Sequence, residues 1–429
     1  MTQIKLAFGQ HGMVINLPDD LDITVIEPSY VRGLPDEGKS LRDSLLHPIH
    51  SPPLASIIDS GDRIGIVLSD ITRPTPYHTI LPAILESIAH VPNANIILFI
   101  ALGTHRASST AELETMLGLE IVENYQLIQN NAFDPGSQVS LGKSAYGHEI
   151  WINQALLACD ARILTGFIEP HFFAGFSGGG KAIMPGMAGQ RSVLANHDAG
   201  MIDDPRSTWG VTAGNPIWEE IHEVATSIKR NFLVNVTLNR DKQITGIFSG
   251  NLTAAHAQGC RFVRQTAMVA VEEPFDIVIT SNSGYPLDLN LYQSVKGMSA
   301  AAQIVREGGA IILAADCWDG IPDHGLYGKI LRGAGSPQTV LRQIRSSATV
   351  QQDQWQAQIQ ALIQLHAEVH VFTNHLSAQQ VESCLLLYCA NIEDTLHRLL
   401  ERYGRDARIC VLPEGPQTIP YLHKDAPDS

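Results

Sequence analysis

The sequence predicts an α/β chain of two domains, each built on a largely parallel sheet covered by helices. Three observations carry that prediction. The length of 429 residues allows two or three separate cores. Short apolar runs alternate with helical periodicity along most of the chain. That alternation breaks at Glu272-Glu273-Pro274 and then restarts. The expected division is 1–268 for an N-terminal domain, completed by about 413–429, and 275–412 for a C-terminal domain.

In chain order, residues 1–30 read as short strands with turns at Gly9 and at Pro18-Asp19-Asp20. The stretch to about Ser60, rich in Pro, His and Asp, reads as loop with a short helix. Residues 63–68 form a strand, 77–90 a helix and 94–102 a second strand. Ser109 and Glu112 make a capping box for a helix that stops at Gly118. The third strand is 161–167, and 275–280, 310–314, 369–372 and 407–412 supply strands for the second domain. Helices 290–306, 355–365 and 392–403 alternate with them. There is no internal repeat.

Composition narrows the function. Charged residues are 17% and apolar residues 44%, as in a folded globular chain. A formal charge of −15 argues against nucleic acid or an anionic membrane as partner. No apolar run approaches the roughly 20 residues of a membrane span, and the first residues lack a basic stretch before an apolar core. The expectation is a cytoplasmic protein. Six cysteines, with no CxxC pair, read as reduced and buried.

The stretch that stands out follows the third strand: Ile168-Glu-Pro-His171-Phe-Phe-Ala-Gly-Phe-Ser177-Gly178-Gly179-Gly180-Lys181-Ala182. Glycines at this density let backbone N–H groups approach an anion, with His171 and Lys181 toward the two ends. Gly175 to Ala182 resembles a P-loop, yet Ala182 stands where the magnesium-binding hydroxyl belongs. Pro185 and Gly186 also interrupt the long helix that a P-loop lysine should open. Phosphate cradling survives these objections, and phosphoryl transfer does not.

Parallel sheets bind ligands beyond the carboxyl ends of their strands. The first strand delivers Asp70-Ile71-Thr72-Arg73-Pro-Thr-Pro there, the second Gly103-Thr-His105-Arg, and the third the glycine loop. Asp70 and Thr72 also fit a turn and a cap, and His105 and His197 also fit structural roles, but the convergence favours a site. In the second domain Tyr292, Gln293 and Lys296 share one face of a helix start. Two histidines on separate loops suit proton transfer on opposite faces of one carbon. The α-proton of a 2-hydroxy acid is too weakly acidic for simple removal, so a hydride route through a cofactor is the alternative.

These pieces, together with Asn196-His197 and Tyr285-Pro-Leu-Asp-Leu-Asn-Leu-Tyr292-Gln293-Ser-Val-Lys296, resemble the nickel-dependent lactate racemase family over about residues 65–300. The resemblance implies a covalently held cofactor, nickel(II) pyridinium-3,5-bisthiocarboxylate mononucleotide, the nickel-pincer nucleotide. Lys181 would carry it as a thioamide, and His197 would complete a square-planar nickel site. His105 and His171 would be the proton acceptor/donors, one for each enantiomer, while hydride passes from the α-carbon to the pincer. Asp70, Ile71, Thr72 and Arg73, with Ser177, Gly178, Gly179 and Gly180, would hold the nucleotide. Arg73, Tyr292, Gln293 and Lys296 would bind a small 2-hydroxy acid in an interdomain cleft, and cofactor-maturation enzymes would be partners. A departure is Ser283 before Gly284, where the family pattern has paired glycines. A sugar-acid C2 epimerase, a non-catalytic nucleotide or phosphate sensor, and a zinc hydrolase using His171 and His197 are the other readings.

Overall fold

The computed structural model describes residues 1–323 and 325–423. By internal contacts the chain forms two compact units, one of residues 30–197 and 206–266, the other of 1–29, 198–205 and 267 onward.

The first unit is built on a six-stranded sheet in the order Ile244–Gly250, Asn231–Leu238, Ala161–Phe167, Ile64–Ser69, Ile96–Ala101, Gln126–Gln129. Neighbours run parallel except the outermost pair, Asn231–Leu238 with Ile244–Gly250. The strands expected at 63–68, 94–102 and 161–167 are present, and their faces are buried almost throughout. Ile64, Ile66, Leu68, Ile96, Leu98, Ile100 and Ile163 meet Ile80, Leu81 and Ile84 of helix Tyr77–Ser87 in one apolar cluster. Such two-sided burial explains why these strands read as unbroken apolar runs. The capping box forms as expected, with Ser109 and Glu112 opening helix Thr110–Leu117 and Gly118 ending it.

The second unit carries an all-parallel sheet in the order Leu387–Tyr388, Glu368–Phe372, Val305–Ala314, Phe275–Ser281, Ile409–Leu412, Ile23–Val25. Its last strand comes from the N-terminus, which the expected division had placed with the other domain. Ile23–Val25 adds to the edge of Ile409–Leu412, and Ile4, Leu6, Ile15 and Leu17 pack on Ile277, Ile279 and Ile409. Residues Ile419–Leu422, expected to complete the first domain, pair instead with Met268–Val271 of the second unit. The remainder of the 413–429 stretch, from 424, lies outside the described residues. The helix expected over 290–306 is Leu291–Ala302, and Arg306 sits in the following strand with its Nε 2.5 Å from Asp276 Oδ1.

Candidate active site

In the first unit, strand Ile64–Ser69 lies between Ile96–Ala101 and Ala161–Phe167, so the chain leaves it in one direction and returns on its other side. Loops diverge at such a switch point and leave a crevice beyond the strand ends. A pocket of about 680 Å³, open mouth included, opens there. The loops after all three strands line it: Ser69, Asp70 and Arg73; Gly103 and His105; Ser177, Gly178 and Lys181. The expected convergence is therefore realised by these residues, while Ile71, Thr72, Gly179 and Gly180 stand outside the lining.

Asp70 is 5% exposed and is held from three directions. The Thr72 hydroxyl donates to Oδ1 at 2.5 Å and the Thr72 N–H at 3.1 Å, while His105 Nδ1 stands 2.6 Å from Oδ2. Burial pushes the Asp70 carboxyl up, but the His105 imidazole, its hydrogen bond, the Thr72 hydroxyl and the Arg73 charge outweigh burial and hold it at about 2. An ionised carboxylate can only accept, so Nδ1 of His105 carries the proton. In neutral His105 the lone pair is then on Nε2, the form a general base needs. One oxygen of Asp70 closes the turn, as the turn reading expects, and the other meets His105.

Arg73 lines the same pocket, with Nη1 2.9 Å from Glu169 Oε1. The remaining guanidinium donors of an arginine so oriented stay available to an anion. Glu169 was visible in the loop motif but has no signature of its own; only the fold brings it to Arg73.

The glycine loop is packed from behind. A Cβ on Gly178 would lie 2.5 Å from Asn235 Oδ1, and one on Gly179 2.7 Å from the His256 ring. Gly178 also has φ 74° and ψ −160°, a region open essentially to glycine alone. The Gly179 N–H donates to Asn235 Oδ1 at 2.8 Å, and His256 Nε2 reaches the Ser177 carbonyl at 2.9 Å. Close backing thus accounts for much of the glycine content, which the sequence reading had assigned to ligand approach alone. Lys181 lies within a short 3₁₀ turn, Gly179–Ala182, and opens no long helix, in keeping with the objection to a P-loop.

Phe173, not singled out in the sequence, is the hub of the other predicted residues. Its ring lies 4.5 Å from that of His171 and 4.9 Å from that of His197, both nearly edge-on, and Lys181 Nζ stands 5.6 Å from its centroid. His171 is 6% exposed, lies outside the lining of the pocket, and its Nδ1 accepts the Ala174 N–H at 3.3 Å. In neutral His171 the proton is therefore on Nε2, opposite to His105. His197 caps helix Gln190–Asn196; burial, reinforced by the Lys181 charge, pushes its imidazole down to about 3. A neutral imidazole is the form that ligates a metal.

The position of His197 is backed by a polar group absent from the sequence reading. Asn196 donates at 2.8 Å to Oε2 of Glu220, which is 0% exposed. Ser144 and His148 reach Oε1 of the same carboxylate at 2.5 and 2.9 Å. Burial alone would raise Glu220, and the bonds from His148, Ser144 and Asn196 reverse that and lower it. Among the described residues no group of three or more His, Cys, Asp or Glu side chains is arranged to hold a metal ion. His197 can therefore serve a metal as one donor beside others that the ligand supplies.

In the second unit, Tyr292, Gln293 and Lys296 are half-buried positions on helix Leu291–Ala302, whose other residues up to Ala301 are buried. The Tyr292 hydroxyl lies 3.2 Å from Trp355 Nε1, a donor from helix Gln354–His366.

Comparison with known proteins gives the family. Residues 8–210 match the family described as Lactate racemase N-terminal domain and residues 270–419 that described as Lactate racemase C-terminal domain. The chain is 34% identical to a lactate racemase of Thermoanaerobacterium thermosaccharolyticum over 425 residues, covering 98% of this chain and 99% of the relative. It is 36% identical to one of Lactiplantibacillus plantarum over 382 residues, covering 88% and 90%. The solved lactate racemase apoprotein of T. thermosaccharolyticum superposes with a TM-score of 0.91 over 98% of this chain and 100% of that one. A Thermotoga maritima protein, 18% identical with a TM-score of 0.69, shares the fold. The chain belongs to the lactate racemase family of isomerases.

Proposed function

We propose that this protein racemises a small 2-hydroxy acid, lactate by the name of its relatives, using a nickel-pincer nucleotide tethered to Lys181. The observation that carries the reading is the buried Asp70 carboxylate, 2.6 Å from His105 Nδ1 on the wall of a pocket that Lys181 also lines. His105, neutral, takes the hydroxyl proton of one enantiomer at Nε2, and His171, as imidazolium, gives one up on the other face. Racemisation needs one imidazole neutral and the other protonated at the start of each turnover, with the two roles exchanged in the reverse direction.

The residues fit the cofactor. Lys181 and His197 meet the same Phe173 ring, and His197 is held neutral by burial. His197 would ligate the nickel, Lys181 would bear the thioamide, and Ser177 and Gly178 would face the nucleotide. When bound, the group supplies the hydride acceptor that side chains lack. Arg73, oriented by Glu169, and the Tyr292–Gln293–Lys296 face are assigned to the substrate carboxylate. The same reading places the protein in the cytoplasm beside the enzymes that build and load its cofactor.

The test is intact mass and metal analysis of protein produced together with those enzymes. Nickel and a mass increment on Lys181 are expected, both absent from Lys181→Ala, which should also be inactive. Full-rate racemisation by protein carrying neither nickel nor adduct would overturn the reading.

A further inference from the structure

We infer that His256 is a positioning residue. It turns the Ser177–Gly178 peptide so that the Gly178 N–H faces the pocket as a donor to the phosphate of a mononucleotide. The inference rests on the nucleotide reading above and assigns a role to a residue directly behind the pocket lining.

His256 is 4% exposed on helix Leu252–Ala267, with Nε2 2.9 Å from the Ser177 carbonyl oxygen. A carbonyl accepts, so Nε2 carries the proton. The peptide is planar and trans, so drawing its C=O back toward His256 sends the Gly178 N–H the opposite way. Ser177 and Gly178 both line the pocket and His256 does not.

Three neighbouring amides are engaged. Ser177 N–H donates to the Glu169 carbonyl at 2.9 Å, Gly179 N–H to Asn235 Oδ1 at 2.8 Å and Lys181 N–H to the Gly178 carbonyl at 3.1 Å. The Gly178 N–H makes no hydrogen bond to any described residue. A backbone donor left this way on a pocket wall is available to a ligand acceptor.

The His256 ring has no slack with which to yield. A Cβ on Gly179 would sit 2.7 Å from it, so loop and ring are in contact. On its other side the ring runs nearly parallel to Trp218, 6.4 Å between centroids at 13°, and His222 stacks on Trp218 at 4.7 Å. The ring therefore transmits its position to the loop.

The test uses cofactor-free protein and two probes in calorimetric titrations, nicotinate mononucleotide and its nucleoside without phosphate. The ratio of their dissociation constants isolates the phosphate. His256→Phe keeps the ring and its packing but loses the donor, and His256→Gln restores an N–H donor. The wild type should favour the mononucleotide, His256→Phe should lose about tenfold of that preference, and His256→Gln should keep most of it. Thermal melting of each variant verifies that the fold persists. An unchanged preference in His256→Phe overturns the inference, as does an equal loss in His256→Gln with melting unaltered. Equal binding of both probes by the wild type overturns it together with the nucleotide reading, so the two failures are told apart.

Discussion

Asp70 shows how one buried carboxylate can set the chemistry of a neighbour. With Oδ1 closed by Thr72 and Oδ2 on His105, its role is to fix which imidazole nitrogen is bare. Asp70→Asn would present an amide that can donate, leaving the His105 tautomer unspecified. Loss of a positioned base costs about 10²–10⁴-fold, so kcat for Asp70→Asn and for His105→Asn should fall within that range, with nickel content unchanged in His105→Asn. A fall confined to KM would refute the base assignment. Phe173 makes a different case, because it has no chemistry of its own. Phe173→Leu should leave the fold intact while loosening His197 and Lys181 together, and metal analysis of the co-produced protein should show lower nickel occupancy.

At the scale of elements, the glycine loop is stiff because its back is packed. Gly178→Ala combines a backbone region costing about 1–3 kcal/mol with a contact at 2.5 Å to Asn235, so urea unfolding should show a loss of at least that order. Glu220 is the second structural anchor, since removing a buried, fully bonded carboxylate leaves Ser144, His148 and Asn196 donors without their acceptor. Glu220→Ala should cost on the order of 3 kcal/mol, read by the same unfolding curve. The loop was legible in the sequence because glycine, histidine and lysine there have few other uses. Its backing was not. Asn235 sits in a strand, and His256 and Glu220 on helices, where nothing in their local pattern says which distant segment they meet. Arg306 was misread for a related reason: helical periodicity ran on through 303–306, and only the parallel pairing with Phe275–Ser281 reveals the strand.

For the molecule as a whole, the central parallel strands were plain as apolar runs, while Gln126–Gln129, Asn231–Leu238 and Leu387–Tyr388 went unread. Short strands were expected over residues 1–30, but the sheet that Ile23–Val25 joins was not legible, because three residues at a sheet edge leave no pattern that names their partner. Acid stability follows from the buried histidines. His197 at about 3 and His256 at about 4 lie below the ordinary 6.5, so the unfolded chain takes up protons first. Stability is full above about pH 6.5 and falls as pH drops toward 4, and Asp70, at about 2 instead of 3.8, extends the fall below pH 4. Melting temperature measured from pH 7.5 to 4.5 should decline, and more gently in His256→Phe; a flat profile would contradict the burial described. All six cysteines are buried without disulfides, and burial pushes Cys317 up to about 12. Enclosed sulfhydryls of this kind are poor nucleophiles, so alkylation by iodoacetamide should proceed only as fast as the chain opens. The molecule therefore carries its own stopwatch for breathing, and keeps its soft sulfur ligands out of reach of stray heavy metal.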